Sequence, residues 1–170
     1  RLRLAKRCPS RRPAFGRTSS RERGDLVRVL VDTDVWLDVA LGRDGHDASL
    51  AALYGCIDDG IIMTAAATTL RDAFTIASAA DGCTIAYEML ERLMDLAEIL
   101  SVDSIVCRSG LQLRLSSYGD SIIAACARTE NIDLVITRNT EPFLSLGIPA
   151  STPDEFIEEL GFTAIDLGAL

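Results

Sequence analysis

The chain has 170 residues, 48% hydrophobic and 25% charged, which suits one globular domain and is short for two. No window approaches 18 uninterrupted apolar residues, so no membrane span is expected. Cys8, Cys56, Cys83, Cys107 and Cys126 form no Cys-x-x-Cys pair and His46 is the only histidine, so a zinc site lacks clustered ligands and free thiols in a reducing cytoplasm are expected.

Charge is uneven. Nine of the 17 basic residues lie in residues 1–24 against Glu22 alone, leaving a segment of +8 on a body of −16. Residues 1–24 combine Arg, Ser and Pro with almost no apolar periodicity, so they read as a disordered basic segment. An RNA-contacting arm is the alternative; a transit peptide would need an amphipathic stripe. Arg1 in place of Met reads as a fragment or as translated upstream sequence.

From Asp25 the pattern is regular, and one domain is expected over residues 25–161, with 162–170 as a tail. Leu26–Val31 is a short β-branched apolar run and predicts a buried strand. A helix is expected from Asp34 to Leu41, stopped by Gly42. Leu50, Leu53, Tyr54 and Ile57 have helical spacing, and Asp58-Asp59-Gly60 closes that segment. Ile61–Met63 predicts a second strand, and the alanine-rich stretch Ala65–Ala80 a helix. Thr84 to Leu100 has the clearest helical periodicity, with Ile85, Met89, Leu93, Leu96 and Leu100 on one face. A third strand is expected around Ile99–Val102, a helix over Asp103–Leu113, a loop at Ser116–Gly119 and a helix over Asp120–Glu130. Leu134–Thr137 predicts a fourth strand and Ile148–Ser151 a fifth. Thr152-Pro153-Asp154-Glu155 opens a last helix, with an N-cap, a proline at the first helical position and a capping-box Glu.

Short apolar strands alternating with helices predict an α/β fold whose mainly parallel sheet is covered on both faces. Ligands bind such sheets beyond the carboxyl ends of the strands. Asp32 and Asp34 follow the first strand. Thr137, Arg138, Asn139 and Glu141 follow or end the fourth. Asp72 interrupts an apolar helix and Asp120 begins another. Carboxylates gathered at one edge repel unless a cation offsets them, and Mg²⁺ or Mn²⁺ accepts hard oxygen ligands and activates water for phosphodiester hydrolysis. Each acid also has a plainer reading. Asp120 suits an N-cap, Asp32 a turn, Asp72 a solvent-facing position, and Asp34 with Asp38 the first turn and solvated face of a helix.

Taken together, these segments resemble the PIN domain family and the bacterial VapC-like toxins within it. Val29–Asp38 is similar to the family's opening strand, Asp-Thr-Asn/Asp and hydrophobic helix. Thr64–Ile76 resembles the segment with the second acid, Asp120–Ala127 the third motif, and Leu134–Asn139 with Phe143 the fourth. Ile148-Pro149 and Ser151–Phe156 are also family-like. The resemblance spans about 135 residues in the expected order. It implies a three-layer α/β/α sandwich around a mainly parallel sheet of four to five strands, and a Mg²⁺- or Mn²⁺-dependent endonuclease acting on single-stranded or structured RNA in the cytoplasm. It also implies a small antitoxin partner and a homodimer. The ligands it implies are Asp32, Asp72 and Asp120, with Asn139 and Glu141 as further candidates and Thr137 positioning a water or an Asp32 oxygen.

The chain departs from the family twice. Ser116–Gly119 holds no acid where many relatives have one, and Pro142 stands where many have an acid before Phe143. The acidic body lacks a basic stripe, leaving Arg71, Arg114 and Arg138, with the basic segment 1–24 as a further source, as the cations that would meet phosphate near the site. A degenerate, non-catalytic module is therefore the alternative. A phosphoacceptor receiver is disfavoured because Lys6 is the only lysine.

Overall fold

The computed structural model describes residues 26–161; the basic segment 1–24 and the tail 162–170 lie outside it. The first apolar run forms β1 (Arg28–Val31). Its Val29 and Val31 pack on one side and Leu30 on the other, as the two-residue period of a strand covered on both faces requires. Then come α1 (Thr33–Leu41), α2 (His46–Asp59), β2 (Ile62–Ala66), α3 (Ala67–Asp81), α4 (Cys83–Leu96), β3 (Glu98–Leu100), α5 (Ser104–Leu113), α6 (Tyr118–Thr129), β4 (Leu134–Ile136), α7 (Glu141–Ser145), β5 (Ala150–Ser151) and α8 (Pro153–Leu160).

All strand pairings are parallel, in the order β3-β2-β1-β4-β5. One face is covered by residues of α1, α2, α4 and α8, including Val35, Trp36, Leu53, Leu93 and Phe156. The other is covered by α5, α6 and α7 through Val106, Ile122, Ile123 and Phe143. The fold is thus the three-layer α/β/α sandwich. Local signals set its ends: Gly42 closes α1 in a left-handed conformation (φ 59°), and Thr152 with Glu155 forms the reciprocal capping box of α8.

Several boundaries differ from expectation. Ala65 and Ala66 belong to β2 and not to a helix, because pairing with Ile99 and Leu100 of β3 and complete burial override alanine's helical preference. Helix α4 stops at Leu96 and Ala97 turns extended, so Leu100 sits in β3 instead of on the helical stripe. On that stripe Leu93 is buried, whereas Ile85 and Leu96 are each 43% exposed. They line a groove of about 210 Å³ with Trp36, Leu53 and Met89. Ile57 is likewise exposed. Helix α6 begins at Tyr118, its cap being Ser117, so Asp120 is inside the first turn and is not the N-cap. Strand β3 ends at Leu100, β4 ends before Thr137 and β5 is confined to Ala150–Ser151. Helix α7 was not anticipated; Pro142 sits in its first turn, where the missing N–H costs nothing.

Candidate active site

The carboxyl edge of β1 and β4 gathers the polar groups. The Asp32 amide donates to the Ile136 carbonyl at 2.9 Å, so the two strand ends lie side by side. The Asp32 carboxylate then serves two elements. Oδ1 accepts from the Thr33 amide at 2.7 Å, which caps α1. Oδ2 accepts from the Thr137 hydroxyl at 2.8 Å, just past β4. The Asn139 amide in turn donates to Thr137 Oγ1 at 3.2 Å, so the turn after β4 is tied to the carboxylate.

Asp120 enters from the first turn of α6, whose cap Ser117 accepts from the Asp120 amide at 3.3 Å. Asp34 enters from the first turn of α1. Burial pushes the Asp32 carboxyl above the ordinary value of 3.8; the Thr137 and Thr33 hydrogen bonds pull it down, and the charges of Asp34 and Asp120 push it up again. Burial likewise raises Asp120, the Ser117 hydroxyl lowers it and Asp34 raises it. Asp32, Asp34 and Asp120 therefore share one field. Asp34, read from the sequence as an ordinary first-turn acid, is the member that sequence reasoning missed; its place two residues after Asp32 was the available signal.

The other candidates are arranged differently. Asp72 is on α3, whose first turn reaches the site through a Thr33–Thr69 hydroxyl contact of 3.3 Å. Its carboxylate is held by its neighbour Arg71, through Nε at 2.9 Å and through Nη2. Asp72 is not among the charges acting on Asp32 or Asp120. Asn139 and Glu141 are exposed, Glu141 opening α7. Asp38 is not on a solvated face. It is fully buried, with Oδ1 accepting from Arg138 Nη1 at 3.0 Å and Oδ2 from the Ser49 hydroxyl at 3.1 Å. A charge can be buried here because both of its oxygens are bonded. Arg71 and Arg138 are accordingly ion-paired cations, not unengaged ones.

Among the described residues, no group of three His, Cys, Asp or Glu side chains closes as a metal cage. The Asp32–Asp120 pair with Asp34 nearby is nevertheless a donor set of hard oxygens whose mutual repulsion the Thr137, Thr33 and Ser117 hydrogen bonds only partly offset, since both carboxyls stay raised. That suits a divalent cation held by one or two carboxylates with water filling its other positions.

The family model described as PIN domain matches residues 28–141, and the chain belongs to the PIN domain family. Its fold is similar to that of VapC-type toxin–antitoxin proteins. VapBC2 from Rickettsia felis, solved with a DNA fragment from its promoter, aligns with a TM-score of 0.59 at 14% identity, over 74% of this chain and 98% of that one. FitAcB from Neisseria gonorrhoeae aligns at 0.56 and 22% identity, over 74% and 97%. VapC20 from Mycobacterium tuberculosis, described as a sarcin-ricin loop cleaving toxin, aligns at 0.59 and 15% identity, over 71% and 95%. At these identities the likeness is one of fold. No curated protein matches the sequence.

Proposed function

We propose that the chain is a metal-dependent endoribonuclease, the toxin of a toxin–antitoxin pair, working in the cytoplasm as a homodimer with a small antitoxin as partner. The observation that carries this reading is the Asp32 carboxylate: it is half-buried at the sheet's carboxyl edge, oriented by Thr137 and Thr33, and shares its field with Asp34 and Asp120. Asp32 and Asp120 would hold Mg²⁺ or Mn²⁺, with Asp72, Asn139 and Glu141 as further ligands. A bound divalent cation would lower the pKa of a coordinated water and offset the charge of the phosphodiester. Thr137 keeps Asp32 Oδ2 in one orientation, and the Asn139 amide keeps the Thr137 hydroxyl aimed at it. Support for an antitoxin partner comes from the toxin–antitoxin complexes whose chains share this fold. Among the described residues no helix is long and apolar enough to cross a membrane.

The test is Mn²⁺ titration by calorimetry, wild type against Asp32→Asn, with cleavage of single-stranded RNA followed in parallel. Wild type should bind and cut, and the variant should do neither. A wild type that binds no Mn²⁺ would turn the reading to a non-catalytic module, which the Arg71–Asp72 pair and the acid-free Ser116–Gly119 stretch favour.

A further inference from the structure

An acidic body needs fixed cations to receive a polyanion, and two arginines border the acidic centre in a way that their sequence positions do not reveal. Asp34 and Asp38 lie one helical turn apart on α1, on the same face. Each engages an arginine from a different element. Arg43, in the loop after α1, places Nη1 3.6 Å from Asp34 Oδ1. Arg138, in the turn after β4, places Nη1 3.0 Å from Asp38 Oδ1.

The Arg138 anchor is built into the fold. Asp38 is fully buried, and Ser49 occupies its second oxygen. A Cβ at Gly45 would fall 2.4 Å from Asp38 Oδ2, so the N-cap position before α2 is held by a residue without one. The Arg43 amide donates to the Asp38 carbonyl at 3.1 Å, which ties the loop to the same turn of α1. Yet the Arg138 side chain remains 48% exposed and that of Arg43 31%. A guanidinium has five donors in a fork suited to phosphate, and a single edge contact leaves most of them available. Stability alone explains the arrangement poorly, since exposed ion pairs contribute little and buried ones are weak evidence of stabilisation. Both arginines adjoin the site. Arg43 lies at ion-pair distance from Asp34, a member of the carboxylate field, and Arg138 follows Thr137, which holds Asp32.

We infer that Arg43 and Arg138 form a phosphate clamp that seats the RNA backbone against the acidic centre, an inference that rests on the ribonuclease reading. They are substrate-binding residues, and Asp34 and Asp38 position them.

The probe is a short single-stranded RNA oligonucleotide, titrated by fluorescence anisotropy against the full chain in chelator at several salt concentrations. Arg43→Ala and the double variant Asp38→Asn/Arg138→Gln should each flatten the plot of log affinity against log salt by about 0.7, the value for one lost single-strand phosphate contact. The double variant leaves net charge unchanged and replaces the buried ion pair with a neutral polar one, so its effect reports the contact and not the overall field. Arg138→Lys should keep the slope. Mn²⁺ binding should persist in all of them, because none removes Asp32 or Asp120, and in Arg43→Ala it should not weaken, since the only charge lost there is a cation beside Asp34. Unchanged slopes, or no RNA binding by wild type, would overturn the clamp. Unchanged slopes together with intact Mn²⁺ binding and cleavage would remove the clamp alone, whereas a wild type that binds no Mn²⁺ would remove the ribonuclease reading and the clamp with it.

Discussion

Thr137→Val isolates the hydrogen bond on which the geometry of Asp32 depends. The two side chains are nearly isosteric, so packing around the buried Thr137 is kept and the hydroxyl alone is lost. That hydroxyl donates to Asp32 Oδ2 at 2.8 Å and accepts from the exposed Asn139 amide at 3.2 Å. A hydrogen bond to an ionised group contributes roughly 1.5–3 kcal/mol, and water can replace the Asn139 contact, so the expected cost is about 2 kcal/mol. At roughly 2–4 °C per kcal/mol for a domain near this size, the melting temperature should fall by about 4–8 °C at pH 7. The cost should shrink in acid. The hydrogen bond favours the charged carboxylate and holds the Asp32 proton affinity down, so once Asp32 is protonated the variant loses only a neutral hydrogen bond. Thermal unfolding of both proteins at pH 7 and below pH 3.8 measures this. An equal cost at the two pH values would refute the argument that Thr137 serves a charged Asp32.

Two further predictions address the surroundings of the site. Gly45→Ala should cost about 1–3 kcal/mol by denaturant unfolding, the range for an overpacked interior. Asp38 is pinned by Arg138 and Ser49 and has nowhere to move from the added Cβ; a neutral substitution would show that Asp38 is not held. Among the described cysteines, an aromatic disulfide reagent should modify exposed Cys83 first. Burial pushes the Cys56 and Cys126 thiols up to about 12 and about 11, so both should react only on unfolding. Peptide mapping by mass spectrometry reads the order, and early labelling of Cys56 would contradict the packing of α2.

The features legible in the sequence are those encoded locally. The β-branched run of β1, Gly42, and the Thr-Pro-x-Glu start of α8 each carry their signal within a few residues. Asp32, Thr137 and Asp120 were legible because they stand at element ends on an edge that the alternation of strands and helices already defines. What was hidden is decided by distant partners. Nothing near Asp38 announces Arg138, a hundred positions away, so a buried anchor read as a solvated helical face. Ala65 and Ala66 have helical preference, but sheet pairing outweighs the few tenths of a kcal/mol involved. The stripe on α4 has the right period, yet period alone does not say whether a neighbour covers it. Ser117 could have been recognised as a cap from its spacing to Asp120, but the Ser-Ser-Tyr-Gly composition suggested a loop.

Burial of the Asp32 carboxylate, with the charges of Asp34 and Asp120 added to it, also sets an expectation opposite to that for an ordinary ion-paired carboxylate. The raised proton affinity of Asp32 means that the folded chain binds the proton more tightly than the unfolded chain. Its contribution to stability is therefore fully present below pH 3.8 and is lost as pH rises through the higher folded value. Asn resembles the protonated form, accepting from Thr33 while relieving repulsion from Asp34 and Asp120. Asp32→Asn without metal should therefore melt above wild type at neutral pH, with the difference closing in acid. Divalent metal should reverse the order. At a hundred times its Kd a ligand stabilises by about 2.7 kcal/mol, which for wild type is on the order of 5–10 °C, and Asp32→Asn should gain almost none of it. Melting curves with chelator and with Mn²⁺ give all four values. A variant less stable than wild type in chelator at pH 7 would mean that the Thr137 and Thr33 hydrogen bonds outweigh the cost of burying the charge and the repulsion together. The site would then be organised for folding and not for a cation.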